Sequence, residues 1–155
     1  MEDHWQEGNA QMLKRPQIRI GIIITKDDQV LLMKRRSANE DGTWSTVGGH
    51  LEYRESLQEC AIRETQEVIG VIITDVTFLA ITNDIFEAPE MHDVTIWMAG
   101  RYVSGETAMH TGHEMSVIDW FCWDALPEPL FLPFEHLLTG RCYPALWDFS
   151  GGEKP

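Results

Sequence analysis

Apolar residues along the chain fall in short blocks separated by polar punctuation. Residues 18–25 (IRIGIIIT) are β-branched and nearly all apolar, which predicts a buried strand. Lys26, Asp27, Asp28 and Gln29 form a polar turn, and residues 30–34 (VLLMK) return as a second strand, so a hairpin is expected. Residues 37–42 read as a polar loop, and residues 44–50 (WSTVGGH) enter the next segment as a strand. Residues 72–82 (IITDVTFLAIT) and 94–103 (VTIWMAGRYV) predict two further strands joined through a loop containing Pro89. Residues 116–123 predict another, with Trp120, Phe121 and Trp123 in it. Pro127, Pro129 and Pro133 then break the chain, and residues 134–139 read as a short helix stopped by Gly140. Both ends are polar: residues 1–15 form a loose lead-in, and the Gly-rich tail from Asp148 is expected to fray.

One longer helix stands out between the strands. Ser56-Leu57-Gln58-Glu59 has the form of a capping box, in which the Ser hydroxyl accepts the Glu59 amide and the Glu carboxylate returns to the Ser56 amide. The helix should run from about Leu57 to Ile69, with Gly70 free to take a left-handed conformation after it. Several strands with two helices, mixed rather than alternating, predict an α+β fold or a three-layer α/β sandwich.

Length and charge narrow the functional classes. The 155 residues suit a single domain over 1–155, with a core at about 17–140. Asp and Glu number 25 against 12 Lys and Arg, a net charge of −13, which argues against a nucleic-acid polymer and a polybasic membrane anchor as partners. Small anionic substrates remain compatible if a cation mediates. No apolar run approaches the ~20 residues that span a bilayer, and the first residues lack the apolar core of a signal peptide. Cys60, Cys122 and Cys142 are widely spaced and odd in number, which makes a reducing cytoplasm the expected compartment.

The chemistry concentrates in residues 48–71 (GGHLEYRESLQECAIRETQEVIGV). Glu52, Glu55, Glu59, Glu64 and Glu67 fall in this stretch together with Arg54 and Arg63. Glu64 and Glu67 are three apart and share a helix face. Convergent carboxylates with loop oxygens suit a hard cation such as Mg²⁺ or Mn²⁺, which can clamp a polyphosphate and activate water. Arg63 is four residues from both Glu59 and Glu67 and can pair with either. A solvated acidic helix face held by such ion pairs is the bland explanation of the same charges.

Spacing separates the two. Gly49, then Glu55 six on, Arg63-Glu64 eight further, Glu67 and Gly70-Val71 resemble the Nudix box, G-x5-E-x7-R-E-U-x-E-E-x-G-U with U a bulky apolar residue. The resemblance covers about residues 17–140. The segments GGHLE, RESLQECAIRET, ITNDIF (residues 81–86) and WDALPEPLFLP (residues 123–133) are similar to the cytosolic nucleotide triphosphate diphosphatase branch. The resemblance implies a Nudix α/β/α sandwich with a mixed β-sheet, divalent-metal dependence (Mg²⁺, or Mn²⁺), and hydrolysis of a nucleoside triphosphate to monophosphate and pyrophosphate. It also implies a homodimer, as members of this branch often are. Hydrolysis of another linked diphosphate stays open: a nucleotide sugar, a dinucleotide or, as in plant relatives of the branch, a prenyl diphosphate.

Roles follow the matching positions. The resemblance makes Glu64 and Glu67 metal ligands, with the Gly48 carbonyl as a third oxygen. Glu55 would hold or deprotonate the attacking water, Arg63 would orient the glutamates, and Glu52 would support the ligands from behind. Glu114 is the candidate ligand from outside the box, because the family often places an acid in the corresponding loop.

The pattern breaks at Val68, which replaces the second acid of the E-E pair and offers no lone pair. Thr65 in the apolar slot, Arg54 for a common glycine and Val47 for a common proline are milder departures. Two readings follow: a hydrolase with a reduced ligand set, or a Nudix-fold protein that binds a nucleotide and turns it over poorly. His50, Trp44 and Asn83 are candidates for contact with substrate, from the box loop, an aromatic face and a strand end respectively. Trp120 reads as core and Cys60 as packing, while His110 and His113 read as surface loop residues.

Overall fold

A computed structural model describes residues 14–36, 40–108 and 115–144. Nine elements follow in order: β1 (Gln17–Lys26), β2 (Gln29–Arg35), β3 (Trp44–Ser45), β4 (Val47–His50), α1 (Leu57–Ile69), β5 (Ile72–Glu87), β6 (Glu90–Ser104), β7 (Met115–Cys122) and α2 (Leu132–Leu138). The strands form one mixed sheet of seven, ordered β3-β2-β1-β6-β5, with β7 beside β2 and β4 beside β1. β1 runs parallel to β6 and antiparallel to β2 and β4.

Alternation along the strands explains the sandwich. Ile20, Ile22 and Ile24 of β1 with Leu31 and Met33 of β2 enter one core, where α1 adds Cys60, Ala61 and Ile69. Ile23, Val30 and Leu32 point the other way into a second core with Ala80, Trp97 and, from α2, Phe134 and Leu137. A sheet covered on both faces needs apolar residues at both parities, hence the nearly unbroken apolar runs. Each large aliphatic side chain so buried contributes about 1.5–3 kcal/mol. Gly21 is the exception in β1 for a steric reason: a Cβ there would stand 2.6 Å from the Trp97 ring.

Local signals set the ends of elements. Asp27 and Asp28 take φ of 50° and 64°, closing the β1–β2 hairpin in two residues with Lys26 opposite Gln29. The capping box is formed: Ser56 Oγ accepts Glu59 N–H at 3.0 Å and Glu59 Oε2 accepts Ser56 N–H at 2.8 Å. Gly70 ends α1 in the left-handed region at φ 70°, its N–H donating to the Gln66 carbonyl.

Three expectations change. The strand expected to stop at Thr82 continues to Glu87, and β6 begins at Glu90, so only Ala88 and Pro89 form the turn where a longer loop was expected. The strand expected over 44–50 is split at Thr46, because β3 pairs with β2 while β4 pairs with β1. α2 starts at Leu132 and carries Pro133 in its first turn, where a missing N–H costs no helical bond. The expected lead-in and tail fall mostly outside the described residues. Among the described residues no helix is long and apolar enough to cross a membrane.

Candidate functional site

The β4 strand delivers the Gly48-Gly49-His50 segment onto the N-terminal half of α1. Two glycines permit this approach. A Cβ on Gly48 would lie 2.9 Å from the Ile20 carbonyl oxygen of the neighbouring strand. A Cβ on Gly49 would lie 2.2 Å from the Glu64 carboxyl carbon, so the carboxylate of Glu64 rests directly on the Gly49 backbone.

Arg63 is the hub of the acids. Its Nε and Nη2 donate to Glu55 Oε2 and Oε1 at 2.6 and 2.9 Å, a two-pronged pair. Nη1 donates to Glu64 Oε1 at 2.9 Å and Glu67 Oε2 at 3.2 Å, with Glu52 Oε1 at 3.7 Å. Nη2 also donates to the His50 carbonyl at 3.2 Å, tying the loop to the helix. Of the two i,i+4 partners open to Arg63, Glu67 is the one engaged, because Glu59 is held in the cap of α1. Glu55 accepts further from the Glu52 N–H at 3.1 Å, which closes the loop upon itself.

These bonds set the charge states. The Arg63 hydrogen bonds outweigh burial at Glu55 and hold its carboxyl down at about 2. Arg63 is in turn pushed above its ordinary value, first by its bond to Glu55. Burial, with Glu55 beside it, pushes the Cys60 thiol up to about 12, which leaves it protonated and unreactive. Glu55 and Glu64 are largely sheltered, whereas the Glu67 side chain is 58% exposed.

The predicted residues thus divide. Glu52, Glu55, Arg63, Glu64, Glu67 and the His50 main chain come together, while Gly48 stands one residue before Gly49, on which Glu64 rests, and faces Ile20 of β1. The His50 side chain is exposed and its Nε2 lies 3.3 Å from Gln17 Oε1. Trp44 packs edge-on against Phe121 with ring centres 5.0 Å apart and joins the α2-side core. Asn83 stands away from the acids: it meets His92 Nε2 at 2.6 Å and lines a separate cavity with His136, Arg141 and Tyr143. Glu114, His110 and His113 lie outside the described residues. Val68 is half-buried and packs against the α1-side core.

Sequence reasoning missed a small cavity beside Gly48. Arg19, Arg35, Ser45, Thr46, Thr95, Trp97 and Phe131 are among its lining residues. Behind it lies a buried polar chain: Thr82 and Thr95 hydroxyls donate to Asp84 Oδ2 at 2.9 and 2.7 Å, and Trp97 Nε1 donates to Thr82 at 2.9 Å. The available signal was polar residues at the inward parity of otherwise apolar strands.

The donor chemistry fits a hard divalent cation. Three carboxylates, from Glu52, Glu64 and Glu67, already surround one cationic nitrogen of Arg63. Among the described residues no three His, Cys, Asp or Glu side chains form a ready-made metal cluster. Two helix carboxylates suit an ion that keeps several waters and takes further oxygens from a substrate phosphate.

Comparison with known proteins places this arrangement. The family model of the NUDIX domain matches residues 15–152. The NAD-capped RNA hydrolase NudC of Pseudomonas aeruginosa is 32% identical over 106 residues, 68% of this chain and 36% of the relative. The chain therefore spans only about a third of that relative's length. The ADP-ribose pyrophosphatase of Methanocaldococcus jannaschii is 27% identical over 121 residues, 78% of this chain and 69% of the relative. Among solved structures, the MutT NUDIX hydrolase of Burkholderia pseudomallei superposes with a TM-score of 0.70 at 30% identity, covering 76% of this chain and 91% of that one. With the box residues gathered on one loop and one helix, and the match running from β1 past α2, the chain belongs to the NUDIX domain family.

Proposed function

We propose that this chain is a pyrophosphohydrolase that cleaves a phosphoanhydride bond of a nucleoside triphosphate, giving the monophosphate and pyrophosphate. The observation that carries the reading is the Arg63 hub, which holds Glu52, Glu55, Glu64 and Glu67 beside the His50 end of β4. A merely solvated helix face would not direct its arginine across to a loop glutamate eight residues back and a loop carbonyl.

Glu64 and Glu67 would hold the divalent cation, Mg²⁺ or Mn²⁺, with Gly48 as the main-chain contributor. The cation, when bound, supplies charge neutralisation for the diphosphate and lowers the pKa of water. Water oxygen bonds to phosphorus as the bridging P–O bond breaks, and the bridging oxygen leaves with pyrophosphate. We assign the water's proton to Glu64, whose carboxylate meets Arg63 through Oε1. Glu55, with both oxygens bonded to Arg63 and its carboxyl held near 2, is a weak base and serves to orient Arg63.

A second reading has specific support. The relatives named for ADP-ribose and NAD-capped RNA point to nucleoside diphosphates joined to a further group. The test is chromatographic detection of the products from nucleoside triphosphates (monophosphate and pyrophosphate), ADP-ribose, NAD and an NAD-capped oligoribonucleotide (two phosphomonoesters each), and prenyl diphosphates (monophosphate and phosphate), with Mg²⁺ and then Mn²⁺. The native protein is expected to turn over at least one nucleotide, and Glu64→Gln to abolish that. Silence of the native protein with activity only in Val68→Glu would make the chain a binding protein on a hydrolase scaffold.

A further inference from the structure

The cavity beside Gly48 has a volume of about 40 Å³, room for a substituent rather than a whole ring. Its polar character is fixed from behind. Asp84 is fully buried, and its Oδ2 accepts hydroxyl hydrogens from both Thr82 and Thr95. Thr82 cannot turn its hydrogen elsewhere without loss, because its oxygen already accepts Trp97 Nε1–H. His136 Nδ1 meets Asp84 Oδ1 at 2.9 Å, so the other carboxylate oxygen is engaged as well. Thr95, 4% exposed and lining the cavity, therefore has its hydrogen bound to Asp84, and only oxygen lone pairs are left to offer. Ser45 Oγ, buried on the same cavity wall, has no hydrogen-bond partner among the described residues. A buried hydroxyl in that state takes a water or a ligand group as its partner.

We propose that Thr95 is a specificity-determining residue, held by Asp84 as an obligate hydrogen-bond acceptor, and that the cavity takes an N–H or O–H substituent of the substrate. Asp84 acts through Thr95 as a positioning residue. The inference rests on the nucleotide reading above and deepens it: a nucleobase bearing an exocyclic amino group is accepted, and a prenyl chain, with no donor, leaves Thr95 and Ser45 desolvated and unpaired. The cavity adjoins Gly48, one residue before the glycine on which Glu64 rests.

The test is a binding measurement, independent of turnover. Calorimetric Kd values are taken for GTP against ITP, ATP against purine riboside triphosphate, CTP against UTP, and geranyl diphosphate. The native protein is expected to prefer the amino-bearing member of at least one pair by roughly tenfold, the worth of one hydrogen bond in a buried site. Thr95→Val should erase that preference, and Thr95→Ser should keep it, which a packing role alone would not do. Persistence of the preference in Thr95→Val overturns the proposal, as does tighter binding of geranyl diphosphate than of every nucleotide. Nucleotide binding that follows this pattern without any hydrolysis would uphold the acceptor role while refuting the hydrolase reading.

Discussion

Replacing Gly49 by alanine separates the chemistry of the site from the stability of the fold. Gly49 does not lie at positive φ, so alanine is compatible with its backbone. The new Cβ would stand 2.2 Å from the Glu64 carboxyl carbon and 2.4 Å from each of its oxygens. Ordinary contact is 3.4 Å or more, so the carboxylate must retreat by about 1 Å or swing away. The obstacle is the far end of a flexible side chain, and the retreat loosens a single bond to Arg63. The folded state should therefore change by less than about 1 kcal/mol, since removing glycine freedom from the unfolded chain offsets part of the lost contact. A shift of about 1 Å in a reacting group, by contrast, costs on the order of 100-fold in rate. Gly49→Ala is thus expected to leave Tm within about 3 °C, and to lower kcat/KM for the best nucleotide by about two orders of magnitude. Thermal unfolding and initial-rate kinetics on the same preparation read both. Unchanged kcat/KM would refute the view that Glu64 works from its place on Gly49. A collapse of Tm would refute the view that only the carboxylate stands in the way.

Three further outcomes follow from the same geometry. Arg63→Ala leaves the four acids around it without a countercharge and should cost about 2–4 kcal/mol in urea unfolding, part of it recovered on adding Mg²⁺. Stability should fall at both ends of a pH series. Glu55, with its folded value lowered to about 2 by Arg63, contributes stability above its unfolded value that is lost as pH drops toward 2, and Glu55→Gln should flatten that limb. Asp93, raised by burial with Asp84 opposite it, does the reverse: stability declines as pH rises from its unfolded value through its folded one, and Asp93→Asn should flatten that decline. Gly21→Ala drives a Cβ to 2.6 Å from the rigid Trp97 ring and should destabilise by about 1–3 kcal/mol in the same urea assay.

What the sequence revealed was what its neighbours in sequence determine. The capping box, the Gly70 terminus and the Asp27-Asp28 turn are local devices, and each forms as its residues dictate. The box acids were legible because Gly48 to Glu67 is one continuous strand end, loop and helix, so spacing alone gathers them. The bond between Arg63 and Glu55 was not, since it depends on how the loop folds back on the helix. The cavity beside Gly48 draws on β1, β2, β3, β4, β6 and the segment into α2, and only strand register unites them. The same register hid the length of β5. Thr82 and Asp84 break the apolar run and suggest an ending, yet both are buried because Asp84 accepts from Thr95, and Thr82 from Trp97, across the ladder. Asn83 and Trp44 had the right chemistry for a ligand, but their contacts with His92 and Phe121 place them in other company.

Val68 shows how one helix face serves two demands. On α1 it follows Glu64 by one turn, yet its side chain packs against the core that holds Cys60, Ala61 and Ile69. Four carboxylates, Glu52, Glu55, Glu64 and Glu67, surround Arg63, so the cluster carries three net negative charges before any cation arrives. A fifth acid at 68 would add repulsion that only a bound metal could relieve, and would withdraw apolar surface from the core. With valine there, the cluster is tolerable without metal, but the protein offers the ion fewer oxygens. The missing oxygens must come from the substrate's phosphates, so cation and nucleotide should bind as a coupled pair. Mg²⁺ titrated alone is expected to bind weakly, and to bind at least about tenfold more tightly when the nucleotide is present. Val68→Glu should tighten Mg²⁺ binding in the absence of nucleotide and shrink that coupling. Equal Mg²⁺ affinity with and without nucleotide, measured calorimetrically on the native chain, would show that the substrate does not replace the oxygen that valine withholds.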